Sequence, residues 1–461
     1  MFDKLANIFR IPDLRKRVLF TLGLLAVYRL GGHIPTPGIN ADRLQQFFES
    51  NRGNFLGFVD LFSGGQLKRM TIFALGIMPY ITSSIILQLL TVVYEPLAKL
   101  QKEGELGRKK ITQWTRYLTV LLSAVQSFGI AISLQKSGDF VVHPGVGFVL
   151  MTMLTLTTGS AFIMWLGEQI TERGIGNGMS LLIFAGIVSG LPRGVADLLE
   201  KVKNNTWGTL TAPAMILLVG VMILVVAFIV YVERSERRIP VQYAKRVVGR
   251  KVMGGQSTHL PLRVNAGGVM PVIFASSILT LPQMLGSLFQ NNKVIGPILA
   301  ALKWGEPLYT LMYAMGIIFF AYFYISIVFN PNEVADNMRK YGGFIPGIRP
   351  GKRTSDFINT VLTRITLVGA LYLIIISFIP EWMITGIHLN HLPVWLGGRF
   401  FENFPNWMLN GLGVNFYFGG TSLLIVVGVA MDTVNQVEAQ LIMRHYDGFT
   451  PKSGRIRGRR W

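Results

Sequence analysis

The chain has no cysteine among its 461 residues, which excludes disulfide staples and thiolate metal sites. Charge is scarce as well. Asp, Glu, Lys and Arg make up 15% of the sequence, where a soluble domain carries about 25%. Acids are the scarcer kind, 24 Asp and Glu against 44 Lys and Arg, giving a net charge of +20. Within the long apolar runs no histidine occurs, and Asp432 is the one aspartate. Aspartyl proteolysis inside a membrane needs two aspartates, and a membrane serine hydrolase needs a base beside its serine. Neither set is present. Ion-coupled transport places charged groups near the bilayer midplane. Here Glu168, Glu233 and Arg364 fall near the cytoplasmic ends of their runs and the centres are almost free of charge. His388 and His391 lack a supporting carboxylate or thiolate, so they make no metal site. The run Gly174–Gly178 (GIGNG) has neither a preceding strand nor the Lys-Ser/Thr ending of a phosphate loop. It reads as a tight turn, after which the backbone of the next helix approaches a neighbour closely. The sequence points away from an enzyme and implies no cofactor.

What is abundant is apolar: 51% of residues are hydrophobic and the mean hydropathy is +0.44. The apolar residues come in blocks separated by short charged connectors, as a multi-span membrane protein requires at about 20 residues per crossing. Ten candidate spans emerge: 18–30, 72–93, 117–134, 148–170, 179–191, 215–232, 266–288, 308–329, 365–379 and 416–434. The first, fifth and ninth are short, and are expected to extend into polar flanks or to line water-filled space. The basic N-terminus (MFDKLANIFRIPDLRKR) leads into the first run without a small-residue cleavage site, so that run is read as a retained span. Orientation follows from Lys and Arg. With the N-terminus inside, the inner segments hold 32 and the outer ones 11. Ten spans with both termini cytoplasmic are expected.

Two inner connectors, 233–264 and 330–364, are too long and basic for simple turns. The first carries Arg234, Arg237, Arg238, Lys245, Arg246, Arg250, Lys251 and Arg263, and the second Arg339, Lys340, Arg349, Lys352, Arg353 and Arg364. Excess inner charge is one reading; a docking surface for ribosomal RNA or an acidic protein is the favoured one. The outer segment 390–415 carries Trp and Phe, and reads either as an interfacial stretch or as a plain surface loop. Five spans, a large basic connector and five more spans suggest a duplication. An odd number of spans per half makes the halves inverted. Before the second span, Phe62–Arg69 (FSGGQLKR) is amphipathic but too short to cross, and reads as a half-inserted segment folded back or as a surface loop. Pro79 inside that span is expected to kink it.

These motifs resemble the SecY family. The resemblance lies in SGGQLKRMTIFALGIMPYITSSIILQLL (63–90), KEGELGRKKITQWTRY (102–117) and MWLGEQITERGIGNGMSLLIFAGIVSGLP (164–192). It continues through QSTHLPLRVNAGGVMPVIFASSIL (256–279), FNPNEVADNMRKYGGFIPGIRPG (329–351), TRITLVGALYL (363–373) and FYFGGTSLLIVVGVAMD (416–432). It runs from about residue 15 to 437 in the family's order; the 390–415 insertion is longer than the family pattern, and the tail 451–461 is individual.

The resemblance implies an all-α membrane protein of ten transmembrane helices in two inverted, pseudo-symmetric five-helix halves (18–200 and 201–437), with a short plug helix at about 55–71. Residues 1–17 and 438–461 are then cytoplasmic tails. An hourglass pore between the halves would pass unfolded secretory chains and open sideways to lipid between the second and seventh spans. Its constriction would be Ile77, Ile81, Met179, Ile183, Ile273 and Ile425, with Met179 departing from the usual branched side chain. Aliphatic residues suit that role because they bind no ion and exclude water. Ile77/Ile81 and Met179/Ile183 are each i, i+4 and share a helix face; without the resemblance all six read as lipid-facing or core aliphatics. The plug would include Phe62, Ser63, Gly64 and Gly65, its glycines giving mobility. Gln88 and Asn265 would form a polar pair across the lateral gate, Asn265 also reading as a helix cap. Arg250, Lys251 and Arg349 would dock the SecA motor and the ribosome. Implied partners are SecE, SecG, SecA, the ribosome through its RNA, signal sequences, unfolded polypeptides and anionic lipids; the location is the inner membrane.

Overall fold

A computed structural model describes residues 11–40, 43–46, 63–136, 140–203, 211–243, 246–248, 251–253, 257–286, 302, 306–384 and 420–447. Among the described residues its apolar segments are mainly helical. In chain order the long elements are α1 (Pro12–Gly31), α2 (Met78–Val93), α3 (Glu95–Lys102), α4 (Glu105–Lys136), α5 (Val146–Arg173), α6 (Gly178–Val188), α7 (Leu191–Lys203) and α8 (Thr211–Arg234). After four strands come α9 (Met270–Gly286), α10 (Pro307–Val328), α11 (Pro331–Lys340), α12 (Lys352–Ile384) and α13 (Gly420–Asp447). Each of the ten expected spans falls wholly or in part on one of these helices. Among the described residues, five helices are long and apolar enough to cross a membrane unaided, and a sixth counts if α2 and α3, bent by 105°, are taken together.

Local sequence explains where helices begin. Pro sits in the first turn of α1, α2, α3, α10 and α11, where its missing N–H costs nothing. This corrects the expectation for Pro79. The second span is not a helix from residue 72 with a kink inside it. Residues 72–77 are turns, Gly76 has φ +56°, and α2 starts at Met78, so Pro79 initiates a helix instead of bending one. Asn177 caps α6 by accepting from the Met179 N–H at 3.1 Å. The glycine turn before it behaves as its spacing predicts. Gly178 lies directly on the carbonyl of Gly167 in α5, leaving no room for a Cβ. The Ile175 N–H donates to Thr21 Oγ1 at 3.2 Å, tying the turn to α1.

The short spans resolve differently. α1 reaches back into the N-terminal tail, and α12 continues through the second basic connector as one 33-residue helix. α6 stays at 11 residues, about 16 Å at the usual rise, too short to cross alone.

The connectors depart from the all-helical expectation. β1 (Glu236–Tyr243) pairs antiparallel along its length with β4 (Ser257–Arg263), and on its other edge Gln242 and Tyr243 pair with β5 (Gly343–Phe344) of the second connector. A hairpin, β2 (Arg246–Val248) with β3 (Lys251–Met253), extends from the first. The two basic connectors thus form one sheet, ordered β4-β1-β5. Ile239, Val241 and Leu262 from the sheet bury against Met338, Ile345 and Ile358. The alternation Ile239-x-Val241 puts apolar groups on one face and leaves Arg237 and Arg238 exposed on the strand.

The main core sits where the two chain halves meet. α2 packs on α9, and α6 on α13. One apolar cluster spans these seams, with residues of α1, α5, α8, α10 and α12 behind it.

Candidate functional site

Five of the six residues expected at a constriction come together. Ile77, Ile81, Ile183, Ile273 and Ile425 all belong to the central cluster, with exposures from 0% at Ile425 to 8% at Ile81. They arrive from the start of α2 and from α6, α9 and α13. The Ile81 N–H donates to the Ile77 carbonyl at 3.1 Å, so the first pair shares the opening turn of α2.

Met179 is placed differently. It is half-buried at the cluster's edge, and its sulfur rests on Gly167 of α5. The residue completing the α6 face is Ile187, 4% exposed and inside the cluster. The i, i+4 step from Ile183 reaches Ile187 as readily as Met179, and that was the available signal.

Against α6 lies the glycine segment. Gly64 and Gly65 have φ of +72° and +80°, conformations open mainly to glycine. A Cβ on Gly64 would lie 2.8 Å from both Cα and O of Gly186. The segment is therefore seated backbone to backbone on the helix bearing Ile183 and Ile187. Gln66, Leu67, Lys68 and Met70 are buried behind it, which makes this a segment folded back into the molecule. Of the short helix expected at about 55–71, residues 55–62, Phe62 included, lie outside the described residues; Ser63 is helical and residues 64–70 are turns and bend. The segment's far end is pinned. The Thr36 N–H donates to Met70 O at 2.8 Å and the Ile72 N–H to Ile34 O at 3.0 Å, flanking a Pro35–Thr71 bridge.

The polar pair expected across the α2–α9 seam does not form. Gln88 Nε2 donates to Ser84 Oγ, 3.3 Å away on its own helix. Asn265 Nδ2 donates to Glu233 Oε1 at 2.6 Å and to Gly268 O at 3.1 Å. Asn265 thus closes the turn before α9 and binds the end of α8. Burial pushes the Glu233 carboxyl, just past the apolar run 215–232, above the usual carboxylate range, against the Asn265 hydrogen bond that favours its charged form. The polar contact that does cross the seam is Ser277 Oγ to Met78 Sδ at 3.9 Å, a weak one.

On the sheet, Arg349 is exposed at the end of a loop, its carbonyl accepting from Thr354 Oγ1 at 3.0 Å. Lys251 lies in β3, while Arg250 and the insertion 390–415 are outside the described residues. From the sheet's edge Arg263 reaches Asp432 of α13 at 3.8 Å. Arg116 of α4 bonds Glu168 of α5 at 2.8 Å. Among the described residues no cluster of His, Asp and Glu is assembled that can hold a metal.

A chain with several helices long and apolar enough to cross a membrane, joined by one apolar cluster, belongs to the class of polytopic helical membrane proteins. Comparison narrows the class: the SecY family model matches residues 71–434, and the chain belongs to the SecY family. The protein translocase subunit SecY of Escherichia coli strain K12 is 48% identical over 450 residues, covering 96% of this chain and 95% of that protein. The protein of the same name from Vibrio cholerae is 46% identical, with the same coverage. The fold is shared with a solved protein-conducting channel, at a TM-score of 0.63 and 18% identity over 94% of both chains. It is shared too with Sec61 in a canine ribosome-channel complex, at a TM-score of 0.58 and 16% identity over 94% of both chains.

Proposed function

We propose that this chain is the channel subunit of a protein translocase, passing unfolded secretory proteins across the inner membrane and releasing apolar segments sideways into lipid. The observation that carries this reading is the apolar waist. Isoleucines from four separate helices meet in one cluster with no charged residue among them, and a glycine-bearing segment rests on one of those helices. Such a waist repels ions by dewetting and yields to a passing chain. The ring is Ile77, Ile81, Ile183, Ile187, Ile273 and Ile425; the residues from Ser63 to Gly65 belong to the plug.

The lateral gate is the α2–α9 seam. It is held by aliphatic packing and the Ser277–Met78 contact, an arrangement that an entering signal sequence can replace like for like. Ten spans in two inverted halves (18–200 and 201–437), with both termini cytoplasmic, put the basic sheet on the inner side. There it offers an acidic motor or ribosomal RNA a positive surface. Energy then comes from SecA, the ribosome or the membrane potential, and SecE and SecG complete the assembly.

The test is reconstitution. Vesicles containing this chain with SecE and SecG, supplied with SecA and ATP, are expected to import a protease-protected secretory precursor. Failure to protect any precursor under conditions where a known translocase does so would refute the proposal.

A further inference from the structure

Between the constriction and the next span lies α7, which nothing above employs. Its sequence, LPRGVADLLEKVK, repeats apolar residues at 191, 195, 198, 199 and 202, a stripe about 100° wide on a helix. Three of these, Leu191, Val195 and Leu199, follow at i, i+4 and i+8. Its described members are not core. Val195 is 46% exposed and Leu199 61%, with Leu191 half-exposed. Glu200 and Lys203 are exposed elsewhere on the helix, so it can be surrounded neither by lipid nor by water alone.

Depth comes from connectivity, and here the inference rests on the channel reading. Ile187 lies at the constriction, near mid-membrane. Leu191 begins α7 four residues later, about 6 Å along the chain at the helical rise. The outer half of the hydrocarbon layer is about 15 Å thick. α7 therefore starts inside that half, yet its charged residues require water. Its main packing neighbour is α8, which turns Ile216 (75% exposed) and Ile223 (66%) outward as lipid-facing side chains do.

We propose that α7 is an interfacial membrane helix, its Leu191–Val195–Leu199 stripe lying in the acyl chains of the outer leaflet and its Glu200 side in the headgroup water. It is a lipid-binding surface placed one short break, Ser189–Gly190, from the ring-bearing helix α6. An apolar face of this kind is buried about 5–10 Å into the headgroup boundary.

The absence of cysteine allows a direct test, since each introduced thiol is unique. Val195→Cys, Leu199→Cys, Glu200→Cys and Ile223→Cys versions of the full chain are labelled with an environment-sensitive fluorophore. They are reconstituted into phosphatidylethanolamine–phosphatidylglycerol vesicles and quenched by lipids with shallow or deep doxyl groups, or by aqueous iodide. With a face buried about 5–10 Å, shallow doxyl is expected to quench positions 195 and 199 at least about twofold more than position 200, with iodide showing the reverse order. Position 223 is expected to respond to deep doxyl. An intact signal at 223 with iodide reaching 195 and 199 would overturn the inference alone. So would protection of 195 and 199 from both quenchers, which would mean that a protein, a second copy included, covers the stripe. Loss of the deep-doxyl signal at 223 would overturn the spanning reading and this inference with it.

Discussion

Replacing Gly64 by alanine tests whether the glycine segment seals the waist. Two costs arise at that one atom. At φ +72° a Cβ meets the backbone, costing about 1–2 kcal/mol. The same Cβ would stand 2.8 Å from Gly186 Cα and O, where ordinary contact begins at 3.4 Å, so the segment must lift from α6 by about 0.6 Å. Overpacking of that kind adds about 1–3 kcal/mol. Even the low end of the sum, about 2 kcal/mol, shifts the ratio of seated to displaced segment by about 30-fold. The assay is single-channel conductance at rest in planar bilayers, with Gly347→Ala as control. Gly347 has φ +81° but nothing within 4 Å of its Cβ position, so it carries the strain without the collision. Gly64→Ala is expected to raise the frequency of resting openings at least about tenfold, and Gly347→Ala to leave it unchanged. Equal tightness of Gly64→Ala and the unaltered protein would refute the seat on Gly186.

Ile425→Asn buries an amide at a position that is 0% exposed, costing the closed state about 1–3 kcal/mol in desolvation; resting ion leak and export of a signal-defective precursor should both increase, measured by conductance and by precursor processing. Arg349→Glu reverses charge at an exposed loop, so SecA-driven import should fall severalfold while thermal stability stays within about 0.5 kcal/mol. Asn265→Ala removes the donor to Glu233 and leaves a part-buried carboxylate short of a partner, so unfolding in detergent should become easier by about 1 kcal/mol; an unchanged melting midpoint would contradict the geometry. Reporter fusions after Asn205 and Asn406 should read outside the cell membrane, and a cytoplasmic readout at either would break the topology.

How far the sequence could be read depended on which interactions were local. Apolar runs and capping residues act over one or two turns, so the helices and the glycine turn before α6 were legible. What local pattern did not decide is which neighbour satisfies a polar group or covers a helix face. The family resemblance paired Gln88 with Asn265, but Ser84, one turn away on the same helix, and Glu233 satisfy them. Met179 and Ile187 flank Ile183 at equal spacing, and only the position of Gly167 on α5 decides between them. The sheet left a visible trace in Ile239-x-Val241 and Leu260-x-Leu262. Charge dominated both connectors, and β5 contributes just two residues from about 100 positions downstream, a pairing that no local pattern announces.

That missed sheet changes how docking can act on the pore. Two separate basic loops would each absorb a partner's push by bending. A sheet with its own apolar core moves as a unit, and its ends are fixed to the channel at defined places. β4 ends at Arg263, which reaches Asp432 on α13, seven residues beyond Ile425. Two residues on, Asn265 holds Glu233 at the end of α8 and closes the turn into α9, the helix of Ile273 and Ser277. On the proposed function, a load applied at Arg349 or along β1 is thus delivered to α9 and α13, the helices assigned there to the gate and the ring. The Arg263–Asp432 pair is largely exposed and 3.8 Å long, so it contributes at most about 1 kcal/mol; the shorter, part-buried Asn265–Glu233 bond is the stronger tie. Exchanging the first pair, with Arg263→Asp and Asp432→Arg together, should therefore cost little in SecA-driven import. Asn265→Ala should slow that import more than it slows passage of a precursor that opens an Ile425→Asn channel unaided. Equal slowing in both channels would mean that Asn265 supports the fold alone and carries no load from the sheet.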